Sequence, residues 1–316
     1  MTGYREDEFI WSQKYRPRTV SDCILPEKTK KLALEILGEG LIPNLLLAHP
    51  NPGIGKTTLA IALCEELQAD YMVINSSLDA NIDTLRYQVN QFASTVSLTG
   101  GQKVVIWEEA DAMPRGTQDA LRAFIEEFSS NCTHILTANY KQKIIESIRS
   151  RCPELEFNIP TDQKPKMAGL ISKRVYEILE KEKITFDKKV VNEIILKKFP
   201  DFRNILNILQ TSSAGGTLDS YALANLDHSK FDVLINNLKN KEFQNARKWL
   251  VENSGIDATT LFDNLYKSSV DYLVPASVAE LILILAKYQA NVPFVANQEI
   301  NTAACLTEIM LLDGWK

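Results

Sequence analysis

The chain has 316 residues, 45% hydrophobic and 24% charged, a balance that excludes a disordered protein and a length that allows two or three domains with their own cores. A formal net charge of −5 excludes a surface coated in positive potential, so any contact with nucleic acid has to be local. Five cysteines (Cys23, Cys64, Cys132, Cys152, Cys305) stand far apart with no C-x-x-C pair, which excludes a disulfide framework or zinc site and fits a reducing, cytoplasmic setting. The N-terminus is polar and charged, and the longest apolar stretch, Val278 to Ala286, is broken by Glu280; neither a signal peptide nor a membrane span is expected.

The first predicted strand is Leu45–Ala48, followed by HPNPGIGKTT, His49 to Thr58, and then a helix near 56–68. An apolar strand, a Gly-rich loop and a helix in this order form a phosphate cradle. Gly53 and Gly55 permit close backbone approach to an anion, Lys56 sets an ammonium against the β- and γ-phosphates, and Thr57 ligates Mg²⁺. Pro50 stands where the pattern GxxxxGK[ST] has its first Gly. A second strand, Tyr71–Asn75, leads to a helix over 79–94; a third, Lys103–Trp107, ends in the acidic pair Glu108 and Glu109. Ligands in open α/β sheets sit at the carboxyl ends of strands, so one carboxylate is expected near the metal shell and Glu109 near the attacking water. After a helix over 115–129, the strand His134–Ala138 closes on Asn139, whose amide offers both donor and acceptor to a water or a γ-phosphate. A helix over 142–149 precedes Ser150-Arg151-Cys152. An Arg on such a loop reaches either a neighbouring subunit's phosphate or a surface carboxylate.

Strands alternating with helices from about 40 to 158 predict a parallel sheet covered on both faces. Beyond Pro160 the strand signals vanish. Residues 161–225 read as helices, with Asp201 an N-cap after Pro200, and 229–313 carry amphipathic runs at 231–238, 243–251, 261–273, 278–288 and 300–312.

Taken together, KYRP (Lys14 to Pro17), GIGKTT, WEEAD, QDALR (Gln118 to Arg122), TAN and SRC resemble AAA+ clamp-loader subunits, the family of the small subunits of replication factor C and their phage counterparts. The likeness continues through FPDFRN, Phe199 to Asn204, and is strongest over 11–204. It implies an α/β AAA+ P-loop ATPase domain at 1–158, a helical lid at 159–228 and an all-α collar for oligomerisation at 229–316. It implies ATP and Mg²⁺ as cofactors, with Tyr15, Arg16, Pro17 and Ile24 along the adenine and ribose. Pro52, Gly53, Ile54, Gly55, Lys56, Thr57 and Thr58 would embrace the phosphates, and Thr57 and Glu108 the metal. Glu109 would polarise water, Asn139 act as first sensor, Arg151 as a finger supplied in trans, and Arg203 as second sensor in cis. The family usually has Asp where this chain has Glu108, a departure that bears on turnover more than on binding.

The same resemblance implies sequence-independent DNA contacts from the helix starts at 79–86 and 115–122, through Asn81, Arg86, Arg115 and Thr117, with Gln118 and Arg122 coupling DNA to Glu109. The segment Asn90–Gly101, with Phe92, Val96 and Leu98, either meets a sliding clamp or packs in the core. The implied function is that of an ATPase subunit which, with copies of itself and a distinct subunit, opens a processivity clamp and loads it onto primer–template DNA during viral DNA replication. The alternatives are a weakly hydrolysing nucleotide-binding scaffold and an AAA+ helicase or helicase loader.

Overall fold

The computed structural model describes residues 9–77, 83, 85–95, 100–218, 228–253 and 257–316. The chain divides into two compact units, Met1–Leu223 and Ala224–Lys316. The first unit opens with α1 (Trp11–Lys14) and α2 (Glu27–Glu39), then β1 (Leu45–Ala48), α3 (Lys56–Glu66) and β2 (Asp70–Asn75). A π-helical turn, Leu85–Val89, runs into α4 (Asn90–Ser94), and β3 (Lys103–Glu108), α5 (Arg115–Glu127), β4 (Cys132–Ala138), α6 (Glu146–Arg149) and β5 (Glu154–Glu156) follow. All five strands are parallel, in the order β2-β3-β4-β1-β5.

The apolar strands read as continuous runs because both of their faces are covered, and the two-residue period sorts the side chains. Leu45 and Leu47 of β1 and Val104 and Ile106 of β3 pack with Ala33, Leu59 and Leu63 of α2 and α3. Leu46, Ala48, Val105 and Trp107 turn the other way, onto Leu121 and Ile125 of α5. Each such side chain removed from water contributes about 1.5–3 kcal/mol. Within residues 79–156, three readings of the sequence need correction. Strand β5 was not anticipated, because only Leu155 of its three residues is buried and two glutamates flank it. The helix expected over 142–149 is a 3-10 turn at Lys141–Lys143 and the four-residue α6. The helix expected over 79–94 is, among the described residues, mainly the π-turn and α4.

Three helices then pack on one another, α7 (Lys164–Lys181), α8 (Lys188–Lys198) and α9 (Phe202–Ser212), with a two-residue parallel pair, β6 (Thr185–Phe186) and β7 (Thr217–Leu218). That pair lies where no strand was expected. Asp187 and Asp201 cap α8 and α9, accepting from the amides of Lys189 (2.8 Å) and Asn204 (3.0 Å). A cap of this kind is worth about 1 kcal/mol.

The second unit, among the described residues, is five helices: α10 (His228–Lys239), α11 (Phe243–Glu252), α12 (Ala258–Tyr272), α13 (Pro275–Asn291) and α14 (Gln298–Met310). Leu234, Trp249, Phe262, Leu281, Cys305 and Ile309 form its core. Leu283, Phe294, Ile300 and Leu311 stay exposed. No helix among the described residues is long and apolar enough to cross a membrane. All five cysteines are free and buried, and burial pushes the thiols of Cys23, Cys64, Cys152 and Cys305 up to about 12 and that of Cys132 to about 11.

Candidate nucleotide site

A cleft of about 610 Å³ opens at the carboxyl ends of the strands, a size that suits a nucleotide. Its floor is the loop from Pro52 to Thr58; one wall is formed by Tyr15, Arg16, Pro17 and Ile24; Glu108, Glu109 and Asn139 border it from the sheet, and Arg203 from the lid helices. Lys56, the first residue of α3, is drawn inward. Its ammonium donates to the carbonyls of His49 (3.0 Å) and Asn51 (3.1 Å) and to Oδ1 of Asn139 (2.8 Å). Burial pushes its pKa down to about 8; Arg203 adds to the fall, and Asp111 and Asp201 oppose it. Burial and the nearby Lys56 also lower His49, whose Nδ1 accepts the amide of Asn51 (3.0 Å). A cation held by carbonyl oxygens with no carboxylate in direct contact is a site prepared for an anion.

The acidic edge depends on residues whose part in the site is not legible from the motifs. Glu109 has φ +52°, a left-handed conformation that costs a non-glycine residue about 1–2 kcal/mol. Such strain persists only where neighbours fix it. Here the Glu109 amide donates to Thr137 Oγ1 (3.3 Å), whose hydroxyl donates to the Trp107 carbonyl (3.4 Å), while the Glu109 carbonyl accepts from Ala112 (2.8 Å). Asp111 receives the amides of Asn139 and Tyr140, both at 3.2 Å, and so orients the loop after β4 that presents the Asn139 amide to Lys56. The final Asp of WEEAD was visible in the sequence, but its partners lie 28 and 29 residues away.

The lid touches the phosphate loop directly. The Phe202 amide donates to the Gly53 carbonyl (3.1 Å), and a Cβ on Gly53, φ +67°, would stand 1.7 Å from Oδ1 of Asp201. Gly53 is therefore required by the lid as well as by its own backbone angle. Arg203 follows two residues later, exposed toward the cleft; Asp201 is used as a helix cap, and Glu193 pairs with Lys197 (2.8 Å).

The other candidate residues lie away from the cleft. Arg151 donates to Glu126 of α5 (Nε, 2.8 Å) and to the Ser147 carbonyl (2.6 Å), and its pairing holds the Glu126 carboxyl below the usual range. Thr117 and Gln118 are both 3% exposed, so Thr117, expected as a DNA contact, is buried in this chain. The Gln118 amide is committed to backbone: Nε2 donates to Met113 (3.0 Å) and Lys143 (3.1 Å), and Oε1 accepts from Ile145 (2.9 Å). It ties the start of α5 to the segment after Asn139. Arg115 and Arg122, two turns apart on α5, are exposed. Asn81 and the side chain of Arg86 lie outside the described residues, as do Val96 and Leu98. Phe92 is partly buried against the α5-side core, with Lys103 Nζ 4.8 Å above its ring and bonded to its carbonyl (2.7 Å).

A five-stranded parallel sheet in this order, a phosphate loop between β1 and α3, an acidic pair ending β3 and an arginine carried in by a helical lid define the AAA+ P-loop class. The fold is shared with the Holliday junction branch migration motor RuvB of Thermotoga maritima, at a TM-score of 0.57 and 17% identity over 78% of this chain and 87% of that one. The family described as DNA polymerase III, delta subunit, matches residues 36–161, and that described as sliding-clamp-loader large subunit, AAA+ ATPase lid domain, matches 162–224. The sliding-clamp-loader large subunit of Enterobacteria phage T4 is 36% identical over the full length of both chains, and that of Escherichia phage RB69 35%. The replication factor C small subunit of Archaeoglobus fulgidus is 30% identical over 96% of this chain and 98% of its own. The chain belongs to the clamp-loader family that these phage large subunits and replication factor C small subunits make up.

Proposed function

We propose that this chain is the ATPase subunit of a sliding-clamp loader, using ATP to open a ring-shaped clamp and place it on primer–template DNA during phage replication in the host cytoplasm. The observation that carries this reading is the convergence of Lys56, Glu109, Asn139 and Arg203 on one cleft while Arg151 stays outside it, bonded to Glu126 of α5 and the Ser147 carbonyl of α6. A site with every part except its finger suits a machine whose neighbouring subunit completes it.

In this reading Lys56 and the amides at the start of α3 hold the phosphates, and Arg203 reads the γ-phosphate as the lid closes. Thr57 and Glu108 fit Mg²⁺ as donors: one hydroxyl and one carboxylate supply hard oxygen ligands, and phosphates and waters complete the shell, as this cation prefers. The metal would neutralise charge on the β- and γ-phosphates. Glu109 takes the proton of the attacking water. Arg115 and Arg122 follow the DNA backbone without reading bases, and Leu283, Phe294, Ile300 and Leu311 on the second unit offer apolar surface for copies of the chain and a distinct subunit.

Phosphate release should be measured in the loader reconstituted with its distinct subunit, with and without clamp and primed DNA. Stimulation of tenfold or more by both together is expected. Unstimulated, near-zero turnover with intact nucleotide binding would make the chain a nucleotide-binding scaffold.

A further inference from the structure

The N-terminal segment up to Tyr15, which begins the wall of the cleft, is fastened to the lid and not to the sheet that carries the phosphate loop. Gln210 of α9 holds the backbone of this segment at two points: its Oε1 accepts the Trp11 amide (3.0 Å) and its Nε2 donates to the Phe9 carbonyl (2.8 Å). Glu182, just past α7, accepts from Tyr15 Oη and Lys14 Nζ, each at 2.5 Å. These bonds raise Lys14; Tyr15 is raised first by burial and then by Glu182. Arg174 of α7 reaches the Tyr15 carbonyl (3.5 Å). Trp11 is 6% exposed, with α1 packed on α9.

From Val20 onward the anchors lie mainly on the sheet side, with Glu27 alone of those named reaching back to the lid, its amide donating to Gln163 Oε1 (3.1 Å) and its carboxylate accepting from Lys166 (2.5 Å). The Val20 amide donates to Glu66 of α3 (2.6 Å), and Val20, Cys23 and Leu25 are buried in the core between the sheet and α2–α3. Thr29 donates to the Glu156 carbonyl of β5 (2.7 Å). Between the two sets of anchors run Arg16, Pro17, Arg18 and Thr19, which lie outside any helix or strand. Gln210 and Arg203 are seven residues apart on α9, two turns along one face and about 10 Å from each other along the axis.

We infer that Phe9–Tyr15 and the lid move as one body about the Arg16–Thr19 link, so that α9 sets the Tyr15 end of the base-facing wall through Gln210 and the phosphate-facing cation through Arg203 in a single closure. Gln210 and Glu182 are not among the residues lining the cleft; they are positioning residues for the nucleotide. This assignment rests on the nucleotide reading of the cleft.

The test uses full-length Gln210→Ala and Glu182→Ala beside Arg203→Ala. In the nucleotide-free chain, amide exchange at Trp11 should rise about five- to tenfold in Gln210→Ala, the scale of one lost hydrogen bond, while the amides of β1 and β3 keep their wild-type protection. Binding of fluorescent ADP and ATP should weaken by the same factor, about three- to tenfold, in Gln210→Ala and Glu182→Ala. Arg203→Ala should instead weaken ATP selectively. Wild-type Trp11 exchange in Gln210→Ala, or a loss confined to ATP in both lid variants, would overturn the assignment. Because the exchange measurement needs no nucleotide, a chain that binds none would defeat the functional reading and leave the mechanical coupling to be judged separately.

Discussion

Lys56 is the residue whose chemistry is most exposed to a simple test. In the free protein its pKa of about 8 means that the ammonium is charged below pH 8 and increasingly neutral above it. A bound triphosphate favours the charged form, so above pH 8 binding must recover a proton that the free site has lost. Nucleotide affinity should be flat, as far as this group is concerned, from pH 7 to 8 and should fall by up to about tenfold per unit beyond. Calorimetric titrations between pH 7 and 9.5 would show this limb, and Lys56→Arg, which stays charged, should flatten it even if its overall affinity is lower. An equal slope in both proteins would remove Lys56 as the titrating group. That Lys56 borders the cleft was legible from GIGKTT alone; that its charge is suppressed was not, since burial in the folded cleft and the Arg203 guanidinium, distant in sequence, lower its pKa. For Gln118, a linking role was expected, but only the fold reveals that three backbone partners consume its amide.

At the level of elements, the phosphate loop and α9 are fitted to one another at Gly53. Gly53→Ala would place a methyl 1.7 Å from Oδ1 and 2.6 Å from Cγ of Asp201, on a backbone angle already unfavourable for alanine. The expected cost is about 2–3 kcal/mol in urea unfolding, together with faster exchange of the Phe202 amide. Removing the obstructing carboxylate should recover part of the loss, so the Gly53→Ala/Asp201→Ala pair should be less destabilised than the sum of the single variants, even though Asp201→Ala forfeits its cap. Strict additivity would show that the two elements do not meet. Strands β1, β3 and β4 were readable because burial on both faces forces an unbroken apolar run. Strand β5 was not, since an edge strand with Glu154 and Glu156 in solvent carries almost no hydrophobic signal. The cap at Asp201 was readable from Pro-Asp; its second role, pressing on Gly53, is a contact across nearly 150 residues that no local pattern encodes.

For the whole molecule, the decisive question is whether catalysis belongs to one chain or to a pair. Arg151 rests on Glu126 of its own chain, consistent with a group that changes partners when a neighbour arrives. Mixing Arg151→Ala with wild-type chains in the reconstituted loader should lower phosphate release by a defect in the wild-type neighbour's site, with each variant chain's own affinity for ATP unchanged. A defect confined to the site of the chain bearing the substitution would refute an arginine supplied in trans. The helical character of the second unit followed from amphipathic periodicity. What that second unit joins did not, because periodicity reports only which face is covered within a chain.

The five cysteines have a practical consequence for following such a machine in motion. Each thiol is enclosed and stays protonated far above neutral pH, so maleimide dyes at pH 7 will pass over the native sulfurs. A single cysteine introduced at Arg122 or Leu283, both solvent-facing, can carry a fluorophore on the unaltered background, and energy transfer between labelled subunits can then time each cycle without a cysteine-free variant.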